Sequence, residues 1–492
     1  MNNLTNHFLP FRKNIIGIDA TFQTPYGEKE IIYADWTASG RLYATIEHKI
    51  AQQFGPLLGN THSESTITGT AMTYAYHLAK DLIKKHVNAS PNDVILSEGS
   101  GMTGGVNKLQ RILGLKVHEK FRKQATLPEN ERPIVFITHK EHHSNQTSWL
   151  ETLADVVVIE PDEAGLVCLQ NLEENLEKYK NRPLKIGAFT SCSNVTGIYT
   201  PYHQMAKLMH RYGGWCFVDF AASAPYIDIN MHPSDEEERL DAIYFSPHKF
   251  LGGPGSSGIL IFNSALYHNR IPDTIGGGIV NWTNPWGGHS YVDDIEYRED
   301  AGTPAFLQTI RAALSIELKE KMQTQLIHDA EKQLLAIAFA ELSKIENLRI
   351  LARNIEDRQS IISFYLENIH FNLVVKILND YYGIQARGGC SCAGTYGHYL
   401  LQVNPQHSQR ITEKINKGDN SEKPGWIRIS FHPTMSIDEV KFITDAIAEI
   451  ASNIDFWQKN YVYNVHTNEF LHKNHQTENE KNMVKSWFGF EV

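Results

Sequence analysis

Short, unbroken apolar runs recur along the first part of the chain, each closed by a polar or glycine-rich cluster and separated by helical patterns. They lie at 94–96, 134–138, 156–159, 186–190, 215–219, 242–245 and 259–262. Runs this short, without alternation, predict strands buried on both faces. Strands separated by helices predict an α/β fold around a seven-stranded, mostly parallel sheet. Such sheets bind ligands at the carboxyl ends of their strands. Polar clusters stand there after five of the seven runs. A helix is predicted over 71–86, with Ala75, Leu78, Ala79, Leu82 and Ile83 on one face. Upstream, 30–41 reads as a strand entering a polar turn, and 59–63 as a second polar loop.

Beyond about residue 305 the texture changes. One long helical pattern runs from 305 to about 340, followed by strands near 348–351, 361–365 and 426–431, which predict a smaller C-terminal α/β domain. The polar stretch 414–423, with Gly418, reads as an exposed loop. The expected organisation is a segment 1–60 that contributes to the smaller domain and to the site entrance, a large domain 61–305, a small domain 306–452 and a tail 453–492.

The chain has 492 residues, 41% apolar and 21% charged, with 46 basic against 56 acidic side chains for a net charge of −10. These are values of a globular protein. Without a long basic run, nucleic acid is not an expected partner. No apolar stretch approaches the roughly 20 residues of a membrane span. The N-terminus has no basic region followed by an apolar core, and five cysteines make no disulfide framework. A cytoplasmic location is expected.

The chemistry concentrates between Phe245 and Gly258, where Ser246, His248 and Lys249 precede a glycine-rich turn. A lysine at a strand end, backed by glycines, can meet a bound cofactor. Ser97 to Asn107, a glycine-rich turn opening a helix and including Gly101, Met102 and Thr103, suits a phosphate but is not a nucleotide P-loop. His139 and His142 have the spacing of zinc ligands, but no second cluster matches them, so no metal is expected. The alternatives for that cluster are a surface position or an imidazole lying over a flat ring. Asn194 can donate to a phenolate-like oxygen or belong to a plain turn. Asp219 ends a strongly apolar strand, a costly position for a carboxylate without a cationic partner. Together, a phosphate cradle, an imidazole, an oxygen donor, a buried carboxylate and a lysine fit pyridoxal 5'-phosphate.

On these residues the chain resembles the class V aminotransferase family of pyridoxal-phosphate enzymes, within it the cysteine desulfurase and selenocysteine lyase branch, over most of its length. Ser246-Pro247-His248-Lys249, the turn through Gly101 to Asn107, Glu141-His142-His143-Ser144-Asn145, Ser193-Asn194-Val195 with Gly197, Asp219 with Ala221, and Ala301-Gly302-Thr303-Pro304 carry the resemblance. It implies fold type I, a pyridoxal-phosphate-binding large domain, and Lys249 as the lysine that holds the cofactor. Asp219 would pair with the ring nitrogen, His142 would stack on the ring, and Asn194 would contact its oxygen. Gly101, Met102, Thr103, Ser246 and His248 would take the phosphate. Gly302 and Thr303 would reach the partner subunit's phosphate in a homodimer. Arg428 would clamp the α-carboxylate of an amino-acid substrate, with Arg387 as a second contact. In Arg387-Gly388-Gly389-Cys390-Ser391-Cys392-Ala393, Cys392 would be the nucleophile that accepts sulfur from an L-cysteine-like substrate, for transfer to a sulfur-acceptor protein.

Two departures stand out. Ala222 occupies the place of the family's usual Gln or His, and a second thiol, Cys390, shares the cysteine loop. The other readings are an aminotransferase, β-lyase or epimerase on a different amino acid, and a non-catalytic cofactor- or partner-binding protein.

Overall fold

The buried runs form one sheet. Its strands are β1 (Asp93–Glu98), β2 (Ile134–Thr138), β3 (Asp155–Ile159), β4 (Lys185–Thr190), β5 (Trp215–Asp219), β6 (Ala242–Phe245) and β7 (Gly258–Asn263), in the order β1-β7-β6-β5-β4-β2-β3. A computed structural model describes residues 2–61, 64–475 and 477–490 of the chain. His62 and Ser63, in the second predicted loop, lie outside the described residues. β7 is antiparallel to both neighbours, and the other pairs are parallel. Every residue of β2, β4 and β6 is buried. Helices covering both faces leave these strands no polar side, which is why their sequences do not alternate.

The helix predicted over 71–86 is α1 (Ile67–His86), capped by Thr66, whose side chain accepts from the Gly69 N–H. Its buried face carries Met72, Tyr76, Ala79 and Ile83, whereas Leu78, expected inward, is exposed. α2 (Met102–Ile112) and α3 (His143–Leu150) follow the carboxyl ends of β1 and β2. The single long helical pattern is two helices, α4 (Phe306–Met322) and α5 (Thr324–Leu342). Gln323, in the left-handed region at φ +64°, breaks it.

A second, wholly antiparallel sheet joins β8 (Leu348–Ile350), β9 (Ile361–Leu366), β10 (Arg387–Gly389) and β11 (Trp426–Ser430) in the order β8-β9-β11-β10. β10 was not among the expected strands. Part of the expected 414–423 loop is helical, since a helix over Pro405–Asn416 runs into it. The tail forms a hairpin, Tyr461–Asn464 with Glu469–His472, and a helix over Thr477–Ser486. His472 of the hairpin packs edge-on against Tyr26, as does Trp457 just before it. No helix among the described residues is long and apolar enough to cross a membrane.

The two sheets meet across the N-terminal segment. The Thr37 N–H donates to Ser430 Oγ at 3.0 Å, and the Gly40 N–H to the His248 carbonyl at 2.9 Å. Residues 35–40 thus tie the end of β11 to the lysine turn after β6.

Candidate active site

At this junction lies a cavity of about 440 Å³. Its lining includes Gly101, Met102, Thr103, His142, Asn194, Asp219, Ser246, His248, Lys249, Arg387, Cys392 and Arg428. All the sequence-derived site residues therefore converge on one space except Gly302 and Thr303, which are exposed elsewhere.

The floor is built by the ends of β1, β6 and β7. The Met102 N–H, at the start of α2, donates to Ser246 Oγ at 2.9 Å. A Cβ on Gly101 would stand 3.0 Å from that oxygen, and one on Gly258 would stand 2.3 Å from the Gly101 carbonyl. Glycine at both places lets the helix start, the serine and His248 close around a small concave site. The N-terminal end of a helix, a hydroxyl and an imidazole form a set suited to a phosphate.

Asp219 ends β5 deep in the molecule, its Oδ1 accepting from the Ala221 N–H at 2.8 Å. Burial pushes its pKa up to about 6, with the Ala221 bond and Lys249 opposing. Lys249 is driven down to about 8 by burial, an effect Asp219 opposes and the two arginines reinforce. Lowered this far, the amine is substantially nucleophilic near neutral pH. His142 and His248 are each held down to about 4, by burial first and Lys249 second. His142 caps α3, its Nδ1 accepting from the Ser144 N–H at 3.1 Å, so its proton sits on Nε2.

Glu141 and Asn145 hold this segment in place. Glu141 accepts from Thr138 Oγ1 at 2.6 Å, the Thr190 N–H at 2.9 Å and Asn145 Nδ2 at 2.8 Å. Asn145 in turn accepts from Tyr244 at 2.6 Å. His139 points elsewhere, to the Gly165 carbonyl at 3.3 Å, and no group of three or more His, Cys, Asp or Glu among the described residues is placed to hold a metal ion.

The opposite wall holds a group that sequence reasoning missed. Asp35 accepts from Arg428 Nη2 at 2.7 Å through Oδ1 and from Arg387 Nε at 2.9 Å through Oδ2. Arg428 also donates from Nη1 to the Asn194 carbonyl at 3.0 Å. Its burial lowers its pKa, an effect Asp35 opposes. A polar turn entered from a short strand was visible around Asp35, but nothing local names its partners. Cys192, also missed, lines the cavity with its thiol pushed up to about 12 by burial. Its Sγ lies 3.2 Å from the Gly197 carbonyl and 3.3 Å from Gln359 Oε1, two acceptors that share its single proton.

Cys392 is exposed on a left-handed turn at φ +56° and lines the cavity. Arg428 Nε, Asn194 Oδ1 and Ser391 Oγ are buried without a partner among the described residues. Buried polar atoms rarely stay unpaired, so three of them around one cavity mark a place for a polar ligand. The donor set, the ionisable pair Asp219 and Lys249, and these unpaired atoms together fit pyridoxal phosphate.

The site thus joins an amine, a buried carboxylate, an anion cradle and a guanidinium pair at the carboxyl end of an α/β sheet. The sequence profile of the class V aminotransferases matches residues 32–443, and the chain belongs to that family. It is 25% identical over 367 residues to a probable cysteine desulfurase of Halalkalibacterium halodurans, covering 74% of this chain and 84% of that protein. In structure it resembles a cysteine desulfurase of Thermococcus onnurineus (TM-score 0.71, 21% identity, 90% of this chain and 98% of that one). The cysteine desulfurase CsdA of Escherichia coli is similar to the same degree (TM-score 0.69, 21% identity, 91% and 98%). The fold is that of the type I pyridoxal-phosphate enzymes, as expected.

Proposed function

We propose that the protein is a pyridoxal-phosphate enzyme that removes sulfur from L-cysteine, leaving L-alanine and a persulfide on Cys392. The observation that carries this reading is an exposed thiol opening on the same cavity as Lys249, Asp219 and Arg428. Relatives named as cysteine desulfurases support it.

The cofactor, when bound, supplies an electron sink for charge developing at the substrate Cα. Ser246, His248 and the turn from Gly101 to Thr103 would hold its phosphate, Lys249 its carbonyl carbon, and Asp219 its ring nitrogen. Asn194 and His142 would contact the ring. Arg428, steadied by Asp35, and Arg387 would hold the substrate carboxylate, a planar task suited to guanidinium. Lys249 Nζ, which lines the same cavity, would take and return the Cα proton. Cys392, as thiolate, accepts the sulfur.

The exposure of Gly302 and Thr303 away from the cavity suits a homodimer in which they complete a second copy's site. A cytoplasmic setting, a protein sulfur acceptor and the division at 60, 305 and 452 belong to the same proposal.

One observation favours a second reading, another class V reaction such as transamination, β-elimination or epimerisation. Ala222 offers no side-chain polar atom where the desulfurase pattern has one. The deciding assay gives purified protein L-cysteine and a reductant, then measures alanine and sulfide. Equal yields, both lost in Cys392→Ala, support desulfuration. Sulfide with pyruvate means β-elimination. Retained cofactor absorbance without turnover directs the search to other amino acids.

A further inference from the structure

Cys392 stands on a turn that its own sequence does not favour. Ser391 and Cys392 sit at φ +51° and +56°. Two successive non-glycine residues in the left-handed region persist only where neighbours impose them. Behind the turn, Ala393 is fully buried in a cluster with Val195, Tyr396 and Trp426. On one flank, Asn194 Nδ2 donates to the Ser391 carbonyl at 2.7 Å. On the other lies the start of α3, which brings His143 against the peptides on both sides of Ala393. The His143 N–H donates to the Cys392 carbonyl at 2.8 Å, and the Gly394 N–H donates to His143 Nε2 at 2.9 Å. One helical turn on, Gln146 Nε2 donates to Thr395 Oγ1 at 2.8 Å.

The imidazole contact is specific. Nε2 can accept only in the neutral ring, with its proton on Nδ1. Burial first, and Lys423 second, disfavour the charged form and hold the His143 pKa below its ordinary value. A Cβ on Gly394 would stand 3.2 Å from Nε2, so glycine gives the amide its close approach. The preceding imidazole holds the other tautomer, since His142 Nδ1 accepts from the Ser144 N–H while its residue lines the cavity. Consecutive histidines at one helix start thus divide the work. His142 faces the cavity, and His143 grips the turn that carries the thiol.

We infer that His143 is a positioning residue for the sulfur-accepting step, an inference that rests on the proposed desulfurase reading. His143 is not among the residues that line the cavity. It acts through Cys392, holding the left-handed turn in the conformation that places this residue on the cavity wall. Arg428 and Arg387 take the substrate carboxylate without it, and Lys249 moves the Cα proton without it. Loss of the ring acceptor leaves the Gly394 N–H unpaired and lets the turn relax from its strained φ values. Substrate binding then survives while sulfur transfer slows, because a displacement of reacting atoms by ~1 Å can cost ~100-fold in rate.

The test compares holoenzyme as wild type, His143→Gln and His143→Leu. Glutamine carries an acceptor close to the place of Nε2, whereas leucine fills the space without one. Hydrogen exchange of the peptide holding Gly394 reads the clamp. Alanine formation from L-cysteine gives kcat and KM, and cofactor absorbance titrated with L-alanine reads binding at the arginines. In His143→Leu the Gly394 amide should exchange about tenfold faster. Its kcat should fall by about 10- to 100-fold, while its affinity for L-alanine stays within about twofold of wild type. His143→Gln should recover most of the lost rate and protection. His143→Asn, too short to reach Gly394, should behave as leucine does, which guards against a folding defect of the apolar variant. A wild-type kcat in both His143→Leu and His143→Asn overturns the inference. So does an equal loss in His143→Gln, or a loss of L-alanine affinity that parallels the loss of rate. If the wild type forms no alanine, the desulfurase reading itself fails, and the exchange difference among the variants then decides the clamp alone.

Discussion

Asp35 sets the geometry of both proposed carboxylate-binding arginines, so Asp35→Asn should separate their contributions. The amide keeps the size and one acceptor, but it turns an NH2 toward one guanidinium. Breaking a buried ion pair from one side costs ~3–5 kcal/mol. That figure applies to Arg428, whose side chain is 3% exposed. The Arg387 side chain is 48% exposed, so solvent screening leaves its arm at ~0–1 kcal/mol. With one acceptor retained, the expected loss is ~2–4 kcal/mol, nearly all through Arg428. Denaturant unfolding of the variant, run in double-mutant cycles with Arg428→Gln and Arg387→Gln, measures the two arms separately. The Asp35–Arg428 coupling should be the larger by at least about 1 kcal/mol. Asp35 also helps hold the Lys249 ammonium, so the amine in the variant should titrate below its wild-type value. A variant within about 0.5 kcal/mol of wild type, or a larger coupling to Arg387, would falsify the assignment of Asp35 as the fixed strut of this wall.

Three further outcomes follow from the same geometry. In cofactor-stripped protein, Lys249 with a pKa near 8 should be about one-tenth free amine at pH 7, against well under one-thousandth for an ordinary lysine. Its modification rate by an amine reagent should inflect near pH 8, and an inflection above 10 refutes the burial argument. Asp219, raised to about 6, keeps a proton in the folded stripped protein that the unfolded chain has already lost, so stability falls as pH rises from about 4 to 6. Asp219→Asn removes this penalty and should stabilise the stripped protein by ~3 kcal/mol at pH 7.5, fading toward pH 4; a wild type more stable than the variant at pH 7.5 contradicts it. Gln323→Gly should raise the unfolding free energy by ~1 kcal/mol by relieving the left-handed conformation between α4 and α5; unchanged or lower stability counts against strain there.

The strands were legible because burial on both faces leaves one readable pattern, a continuous apolar run. The cavity's floor was legible for a related reason, since its residues follow those runs directly. β10 was not, because Arg387-Gly388-Gly389 has no apolar side chain and is a strand only by pairing with β11. The break at Gln323 carries no glycine, proline or asparagine, and the apolar periodicity runs through it. The helix over Pro405–Asn416 had local signals, Asn404 as cap and Pro405 at its first turn, but it buries only Ile411, so no apolar face marked it and its last three residues fell within the loop expected over 414–423. Asp35 was beyond local reading altogether. Its partners are 352 and 393 residues away, and only the docking of the two sheets brings them to it.

That docking and the proposed chemistry use the same turn. Ser193 to Gly197 reads in sequence as a loop offering one amide to a cofactor. In the folded protein its backbone is also where the second sheet lands. Arg428 Nη1 donates to the Asn194 carbonyl at 3.0 Å, Ser363 Oγ to the Val195 carbonyl at 2.6 Å, and the Gln359 N–H to the Gly197 carbonyl at 2.9 Å. A Cβ at Gly197 would lie 2.5 Å from the Gln359 carbonyl, so a larger residue would hold the sheets apart. Gln359 fills the space behind Ala222, donating to its carbonyl at 3.1 Å and accepting from Cys192. Undocked, those carbonyls would have to find water, and Arg428 would be far from Asn194 and the lysine. The cavity is therefore a property of the docked pair of sheets, and a substitution at the seam, far from Lys249 in sequence, perturbs the site as directly as one on its floor.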